Sequence, residues 1–173
     1  MINIVITGPE STGKTSIANF LSDKFILPVV KEYAVEYLEK TNGKYTYDDL
    51  LHIAESQIES EIKLIIACHP EVLLCDTDLI TIKIWSEVRF GKVDQGIIEI
   101  IENRHYDHYI LCYPDIEWEY AKFRENPDDR DYLFELYFNE LKIRDKQFSI
   151  LKGTGEKRFK NAEKIFKNII KFN

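Results

Sequence analysis

Apolar residues fall into two kinds of run along the chain. Short stretches rich in β-branched side chains occur at Asn3–Thr7, Ile26–Val30, Val72–Cys75, Tyr109–Tyr113 and Phe148–Leu151. Between them, apolar positions recur at helical spacing. Ile17, Phe20 and Leu21 mark a helix over 15–25, and 32–40 is compatible with a second. Thr46 is an N-cap candidate, with Asp48 and Asp49 in the first turn of a long helix whose apolar face carries Leu50, Leu51, Ile53, Ala54, Ile58, Ile62 and Ile65. Pro70 must end that helix. Further helices are predicted around 80–90 and 95–104, from a start at Asn126-Pro127 to about 145, and over 156–171. Strands that are continuously rather than alternately apolar are covered on both faces. The pattern therefore predicts an α/β fold: a three-layer sandwich around a five-stranded parallel sheet with right-handed crossovers.

Composition narrows the field. A length of 173 residues suits a single domain over 1–173. Acidic residues outnumber basic ones 30 to 23, the wrong bias for coating nucleic acid or an anionic membrane. The longest strictly apolar run, Leu64–Cys68, is far short of the roughly 20 residues of a membrane helix. The chain starts directly with a strand-like segment and no leader, so a soluble cytoplasmic domain is expected. Cys68, Cys75 and Cys112 are odd in number and widely spaced, which argues against a disulfide framework. His105 and His108 read as a solvated helix end rather than a metal site.

The segment Gly8-Pro-Glu-Ser-Thr-Gly13-Lys14-Thr15 follows a strand and opens a helix, matching the phosphate-binding pattern G-x-x-x-x-G-K-[ST] in its proper context. Glycines let successive backbone N–H groups turn inward on a polyphosphate, at the positive end of a helix. Gly8, Glu10, Ser11, Thr12, Gly13, Lys14, Thr15 and Ser16 are thus candidate ATP contacts. Lys14 would reach the terminal phosphates and the Thr15 hydroxyl would ligate Mg²⁺. No N-K-x-D or T-K-x-D stretch for guanine recognition occurs. The fold class becomes that of the P-loop nucleoside triphosphate hydrolases, nucleotide-kinase-like.

In a parallel sheet, chemistry gathers beyond the C-terminal strand ends. Those ends carry Glu32-Tyr33, Asp76-Thr77-Asp78 and Pro114-Asp115. Asp76 is placed to hold Mg²⁺ or to accept a proton, and helix capping is the competing role for Asp76 and Asp78. Glu32 is either a reacting acid or a cap. Arg124 and Arg130 flank an acidic turn inside a segment of about 115–130, where a mobile lid would bring them over the phosphates. Surface compensation of nearby acids is the alternative. Trp118 either stacks on a substrate ring or pins that segment. Lys157 and Arg158 read as a solvated helix start, with a place beside a nucleobase as the alternative.

Gly8–Thr15, Glu32-Tyr-Ala34, Ile53-Ala-Glu-Ser-Gln57, Asp76-Thr-Asp78, Asp115-Ile-Glu-Trp118 and Arg124–Arg130 together resemble the ribosylnicotinamide kinase domain of NadR-type proteins, P-loop kinases of AAA-like ATP-binding type. The resemblance extends to a closing Gly153…Glu156-Lys-Arg158…Ala162 segment. It implies a kinase that phosphorylates the 5′-hydroxyl of nicotinamide riboside using ATP and Mg²⁺. It implies Lys14 and Thr15 on ATP and metal, with Glu32, Tyr33, Gln57, Asp76 and Asp78 toward the acceptor. Trp118, Arg124 and Arg130 would belong to the lid. The adenylyltransferase domain that relatives carry is not expected here, so the kinase domain would stand alone. Two positions depart from the family pattern: Val35 stands in place of an arginine, and Ala121 in place of an acid.

The expectation is an ATP- and Mg²⁺-dependent small-molecule kinase acting on nicotinamide riboside or a related nucleoside. Lys14, Asp76, Arg124 and Arg130 are its expected catalytic groups, and Asp76, Asp78 and Glu32 remain interchangeable as base. A nucleotide-dependent module acting on a protein partner, or a kinase for another small acceptor, stays open beside it.

Overall fold

The computed structural model describes residues 1–124 and 127–172, with the side chain of Phe172 left aside. Five strands form one sheet: β1 (Ile2–Thr7), β2 (Val29–Val30), β3 (Val72–Asp76), β4 (His108–Cys112) and β5 (Phe148–Leu151). Their order is β2-β3-β1-β4-β5, and every pairing is parallel. Seven helices are interspersed: α1 (Lys14–Phe25), α2 (Tyr33–Lys40), α3 (Tyr47–Cys68), α4 (Leu79–Phe90), α5 (Gln95–Asn103), α6 (Arg130–Ile143) and α7 (Gly155–Phe172).

The continuous apolar strands are explained by two cores, one on each face. Successive residues of β1 alternate between them. Val5, with Leu73, Cys75, Tyr109 and Leu111, packs under α3 to α6. Ile4 and Ile6, with Leu74, Ile110 and Cys112, pack under α1 and α7 through Ile17, Leu21 and Phe166. The sheet is a middle layer, as the pattern predicts.

The register places the site. Ile6 pairs with Asp76 and Thr7 with Leu111, so the ends of β3 and β4 flank the strand that feeds the glycine-rich loop. The Thr77 N–H bonds to the Ile6 carbonyl at 2.9 Å, carrying the pairing one residue past Asp76.

Three local expectations need correction. The second strand is Val29–Val30 rather than Ile26–Val30. Ile26 instead caps α1 in the left-handed region, φ 56°, with its N–H on the Ser22 carbonyl, and Pro28 offers no N–H for pairing. Helix α6 starts at Arg130, with Asp129 before it, rather than at Pro127; Asn126 lies outside the described residues. His108 opens β4 and is half-buried against the Ser149 hydroxyl at 2.9 Å, so it is no solvated helix end. The cap of α3 does form, since the Thr46 N–H and hydroxyl both reach Asp49 at 2.7 and 2.8 Å.

Charged side chains tie the helical layer together. Lys83 of α4 is buried and joins Glu87 at 2.6 Å to Glu140 of α6 at 2.8 Å. Glu61 of α3 is wholly buried; Arg104 donates to it at 2.5 Å and the Tyr106 hydroxyl at 2.6 Å. Among the described residues no helix is long and apolar enough to cross a membrane.

Candidate active site

The loop between β1 and α1 turns through three left-handed residues: Gly8 (φ 132°), Ser11 (φ 53°) and Gly13 (φ 75°). At Gly8 the need for glycine is steric as well as torsional, because a Cβ there would stand 2.7 Å from the Cys112 carbonyl oxygen. Gly13 is the N-cap of α1 and sets Lys14 and Thr15 in its first turn. Within the loop, the Pro9 carbonyl accepts both the Thr12 hydroxyl and the Lys14 ammonium at 2.8 Å. The lysine is therefore held at the mouth of the loop by a single carbonyl, an interaction that a polyphosphate can replace with stronger ones.

Asp76 ends β3 beside this loop. It is 4% exposed, the Thr15 hydroxyl lies beside its carboxylate, and its Oδ1 has no partner among the described residues. Burial raises its pKa, against the pull of the Thr15 hydroxyl and the Lys14 charge. A buried carboxylate oxygen without a partner, next to a hydroxyl, fits the water shell of a hard divalent cation. Among the described residues no three His, Cys, Asp or Glu side chains converge on one point. Thr15 and Asp76 would hold Mg²⁺ jointly with phosphate oxygens, the usual arrangement for that ion.

Asp78 faces elsewhere. It accepts the Tyr109 hydroxyl at 3.2 Å within the core under α4, and its Oδ1 is unpartnered. Burial pushes its pKa up to about 7, with the buried Glu61 charge adding to the rise. The Ile80 and Thr81 amides and the Tyr109 hydroxyl oppose the shift. It occupies the N-cap position of α4 but makes no side-chain cap bond. Between the two acids, Thr77 sits in the left-handed region at φ 72°, an uncommon place for a β-branched residue.

Glu32 precedes α2, and burial raises its pKa to about 7, opposed first by the Lys14 charge. Glu32 thus faces the phosphate loop with a carboxyl able to change protonation near neutrality. Gln57 of α3 is 2% exposed. Its Oε1 accepts the Tyr33 N–H at 2.8 Å, fixing the turn after β2, while its Nε2 has no partner among the described residues.

One cleft of about 610 Å³ joins the loop to Glu32 and Gln57. The whole loop from Gly8 to Ser16 forms one end, and Glu32, Gln57, Thr81 and an apolar wall that includes Tyr45, Trp85 and Tyr137 form the other. Val35 and Ala121, the two departures from the family pattern, both line it. The Trp85 indole N–H donates to the Tyr45 hydroxyl at 2.9 Å, which steadies that wall. Tyr33, Asp76, Asp78 and Trp118 are absent from the lining. The Tyr33 ring packs edge-on to His52, and Trp118 is half-buried with the Arg130 guanidinium over its ring at 5.8 Å.

The segment after β4 docks on the loop through Ser11. The Ser11 hydroxyl accepts the Glu119 N–H at 2.8 Å and the Arg124 guanidinium at 3.3 Å. Arg124 also donates to the Glu119 carbonyl. Arg130 donates to the Ser11 carbonyl at 3.2 Å and the Ile116 carbonyl at 2.9 Å. Both arginines therefore lie against the phosphate loop, and only Arg124 of the two lines the cleft.

Arg158 departs furthest from expectation. It is 3% exposed rather than solvated, paired with Asp115 at 2.6 Å and bonded to carbonyls of Thr12, Tyr113 and Gly153. Lys157 beside it is exposed as read. The sequence signal that could have found Arg158 is its position one turn into the helix after β5, at the sheet edge where the other strand ends converge.

A profile for the AAA domain matches residues 3–158, from the first strand to the first turn of α7. The chain belongs to this AAA-domain family. No curated protein matches it in sequence. Among solved structures, the NadR protein in complex with NAD and AMP-PNP shares the fold, at a TM-score of 0.73 and 19% identity. The match covers 89% of this chain and 44% of that one. A NadR protein in complex with NR gives the same TM-score and identity over 93% and 48%. This chain thus spans less than half the length of either. Thymidylate kinase from Ehrlichia chaffeensis superposes at a TM-score of 0.68 with 13% identity, covering 97% and 98%. Deoxyadenosine kinase from M. mycoides with bound dATP gives 0.64 and 15%, covering 96% and 100%. The fold is that of the P-loop nucleotide kinases.

Proposed function

We propose that this AAA-domain chain is an ATP-dependent kinase that phosphorylates the 5′-hydroxyl of a nucleoside, nicotinamide riboside being the first acceptor to test. The observation that carries the reading is the shared cleft. One 610 Å³ space holds a complete phosphate loop at one end and, at the other, Glu32 and the unpartnered Gln57 amide against an aromatic wall. A protein-directed regulatory module has no need of such an enclosed second end.

The loop amides and Lys14 would bind and orient the triphosphate. Magnesium, when bound at Thr15 and Asp76, would neutralise charge on the transferring group. Glu32 would take the proton of the attacking hydroxyl, since it lines the cleft, faces Lys14 and titrates near 7. The acceptor oxygen then forms the new P–O bond, the bond from the γ-phosphorus to the ADP oxygen breaks, and ADP leaves. Arg124, at the cleft wall, would stabilise the charge that moves onto ADP, and Arg130 would hold the 115–130 lid on Ser11. Gln57 would donate to an acceptor oxygen, with Tyr33 setting its orientation from behind. Asp78 and Trp118 would act as supports of the acid turn and of the lid.

Because Val35 and Ala121 sit on the cleft, the acceptor need not match that of NadR, and the test uses a panel. Purified protein is given ATP and Mg²⁺, and ADP release is followed with and without nicotinamide riboside, ribonucleosides and deoxyribonucleosides. One acceptor is expected to stimulate ADP release and appear as its 5′-monophosphate. ADP release that no nucleoside stimulates would overturn the proposal.

A further inference from the structure

The buried Arg158 belongs to no step above, yet it touches the phosphate loop more intimately than either lid arginine. We infer that Arg158, held by Asp115, is a positioning residue that aims a backbone N–H of the loop at the bound triphosphate and so sets the affinity for the phosphoryl donor. The inference rests on the reading that the Gly8–Thr15 loop binds a nucleoside triphosphate.

Peptide geometry supplies the argument. In a trans peptide the C=O and the following N–H point in opposite directions. Arg158 Nη2 holds the Thr12 carbonyl at 2.7 Å on the side of the loop that faces α7. The N–H of Gly13, in the same peptide unit, is thereby turned the other way. Gly13 has φ 75° and no side chain to restrict it, so this peptide is free to rotate on its glycine side. An external tie on its carbonyl is what removes that freedom.

The tie is strong and dry. Thr12 is fully buried and Arg158 is 3% exposed, so no water competes for the carbonyl. The guanidinium is itself fixed from three directions. Its Nη1 bonds to the Asp115 carboxylate at 2.6 Å and the Gly153 carbonyl at 3.0 Å, and its Nη2 reaches the Tyr113 carbonyl at 3.0 Å. The other Asp115 oxygen accepts the Gly153 N–H at 2.6 Å. Asp115 and Arg158 therefore lock the loop, the end of β4 and the turn after β5 into one piece. Its Nε has no partner among the described residues and lies 3.9 Å from where a Gly13 Cβ would stand. The guanidinium thus adds positive charge just behind the phosphate cradle.

The experiment is calorimetric titration of Mg-ATP, without acceptor, into wild type, Arg158→Gln, Arg158→Lys and Asp115→Asn, with folding checked by circular dichroism. Loss of a charge-assisted bond of this kind is expected to weaken ATP binding about tenfold in Arg158→Gln. Arg158→Lys should recover part of the loss, because an ammonium can reach one of the carbonyls but not span them. In the kinase assay the KM for ATP should rise while the acceptor KM stays within about twofold. A merely structural arginine would lower the melting temperature and leave the affinity of the folded protein unchanged. Folded Arg158→Gln that binds ATP within about twofold of wild type would overturn the inference and leave the phosphate-loop reading standing. Should Arg158→Gln not fold, Asp115→Asn, which keeps an acceptor for the Gly153 N–H, decides in the same way. Wild type that does not bind ATP would overturn the underlying reading itself.

Discussion

Replacing Asp78 with asparagine should make this protein more stable at pH 8 and not at pH 4. Asp78 is 2% exposed, has one oxygen on the Tyr109 hydroxyl and the other without a partner among the described residues, and has its pKa raised from 3.8 to about 7. An acid whose folded pKa is raised costs stability only where it must be ionised. The penalty is absent below about pH 4 and complete above about pH 7. At about 1.36 kcal/mol per pH unit, the rise from 3.8 to about 7 corresponds to ~4 kcal/mol. Asparagine keeps the shape, and the Tyr109 hydroxyl can serve either of its ends, but the new amide N–H₂ needs an acceptor of its own. A net gain of about 1–3 kcal/mol at pH 8 remains, turning into a loss of about 1–3 kcal/mol at pH 4. Urea unfolding of both proteins at the two pH values reads this as a shift in midpoint. Asp78→Asn that destabilises equally at pH 8 and pH 4 would refute the reasoning, since the buried charge would then be satisfied by something stronger than the Tyr109 hydroxyl.

Lys14→Ala should lower phosphoryl transfer by about 10²-fold or more, followed as ADP release with the stimulating nucleoside; near wild-type turnover would dismiss the phosphate-loop assignment. Gly8→Ala puts a Cβ 2.7 Å from the Cys112 carbonyl at φ 132°. It should cost at least ~2 kcal/mol and abolish ATP binding, and an unchanged melting temperature would contradict the geometry. Gln57→Leu removes the acceptor of the Tyr33 N–H but also a buried amide nitrogen without a partner among the described residues. Stability should move by about 1 kcal/mol or less while the acceptor KM rises about tenfold, and an unchanged KM would remove Gln57 from the acceptor site.

The layered sheet was legible because burial on both faces leaves an unmistakable mark on a strand. Ile4, Val5 and Ile6 are all buried, though they face two different cores. The phosphate loop was legible because its residues are contiguous and its chemistry fixes their spacing. What escaped was decided by contacts between distant residues. Ile26 and Leu27 look like strand residues, yet Ile26 is 91% exposed at a helix cap. Arg158 looks like one surface charge among many, because its partner Asp115 lies 43 residues away and no local pattern joins them. Glu61 and Lys83 are buried for the same kind of reason. Nor does the sequence reveal that Ser11 is where Glu119, Arg124 and Arg130 converge, since a serine in that loop has no spacing rule with an arginine more than a hundred residues on.

The two ends of the cleft rest on unequal foundations. The phosphate loop grows out of β1, which has a strand paired on each side. Glu32 and helix α2 grow out of β2, an edge strand of two residues paired only with β3. Amide hydrogen exchange would register the contrast as slow, near-global opening for β1 and faster sub-global opening for 29–40. A fold built this way keeps its phosphate-loop half as rigid as its core and lets the half around Glu32 breathe. Sequence change at that end, as at Val35, can then accumulate at little cost to the folding of the rest.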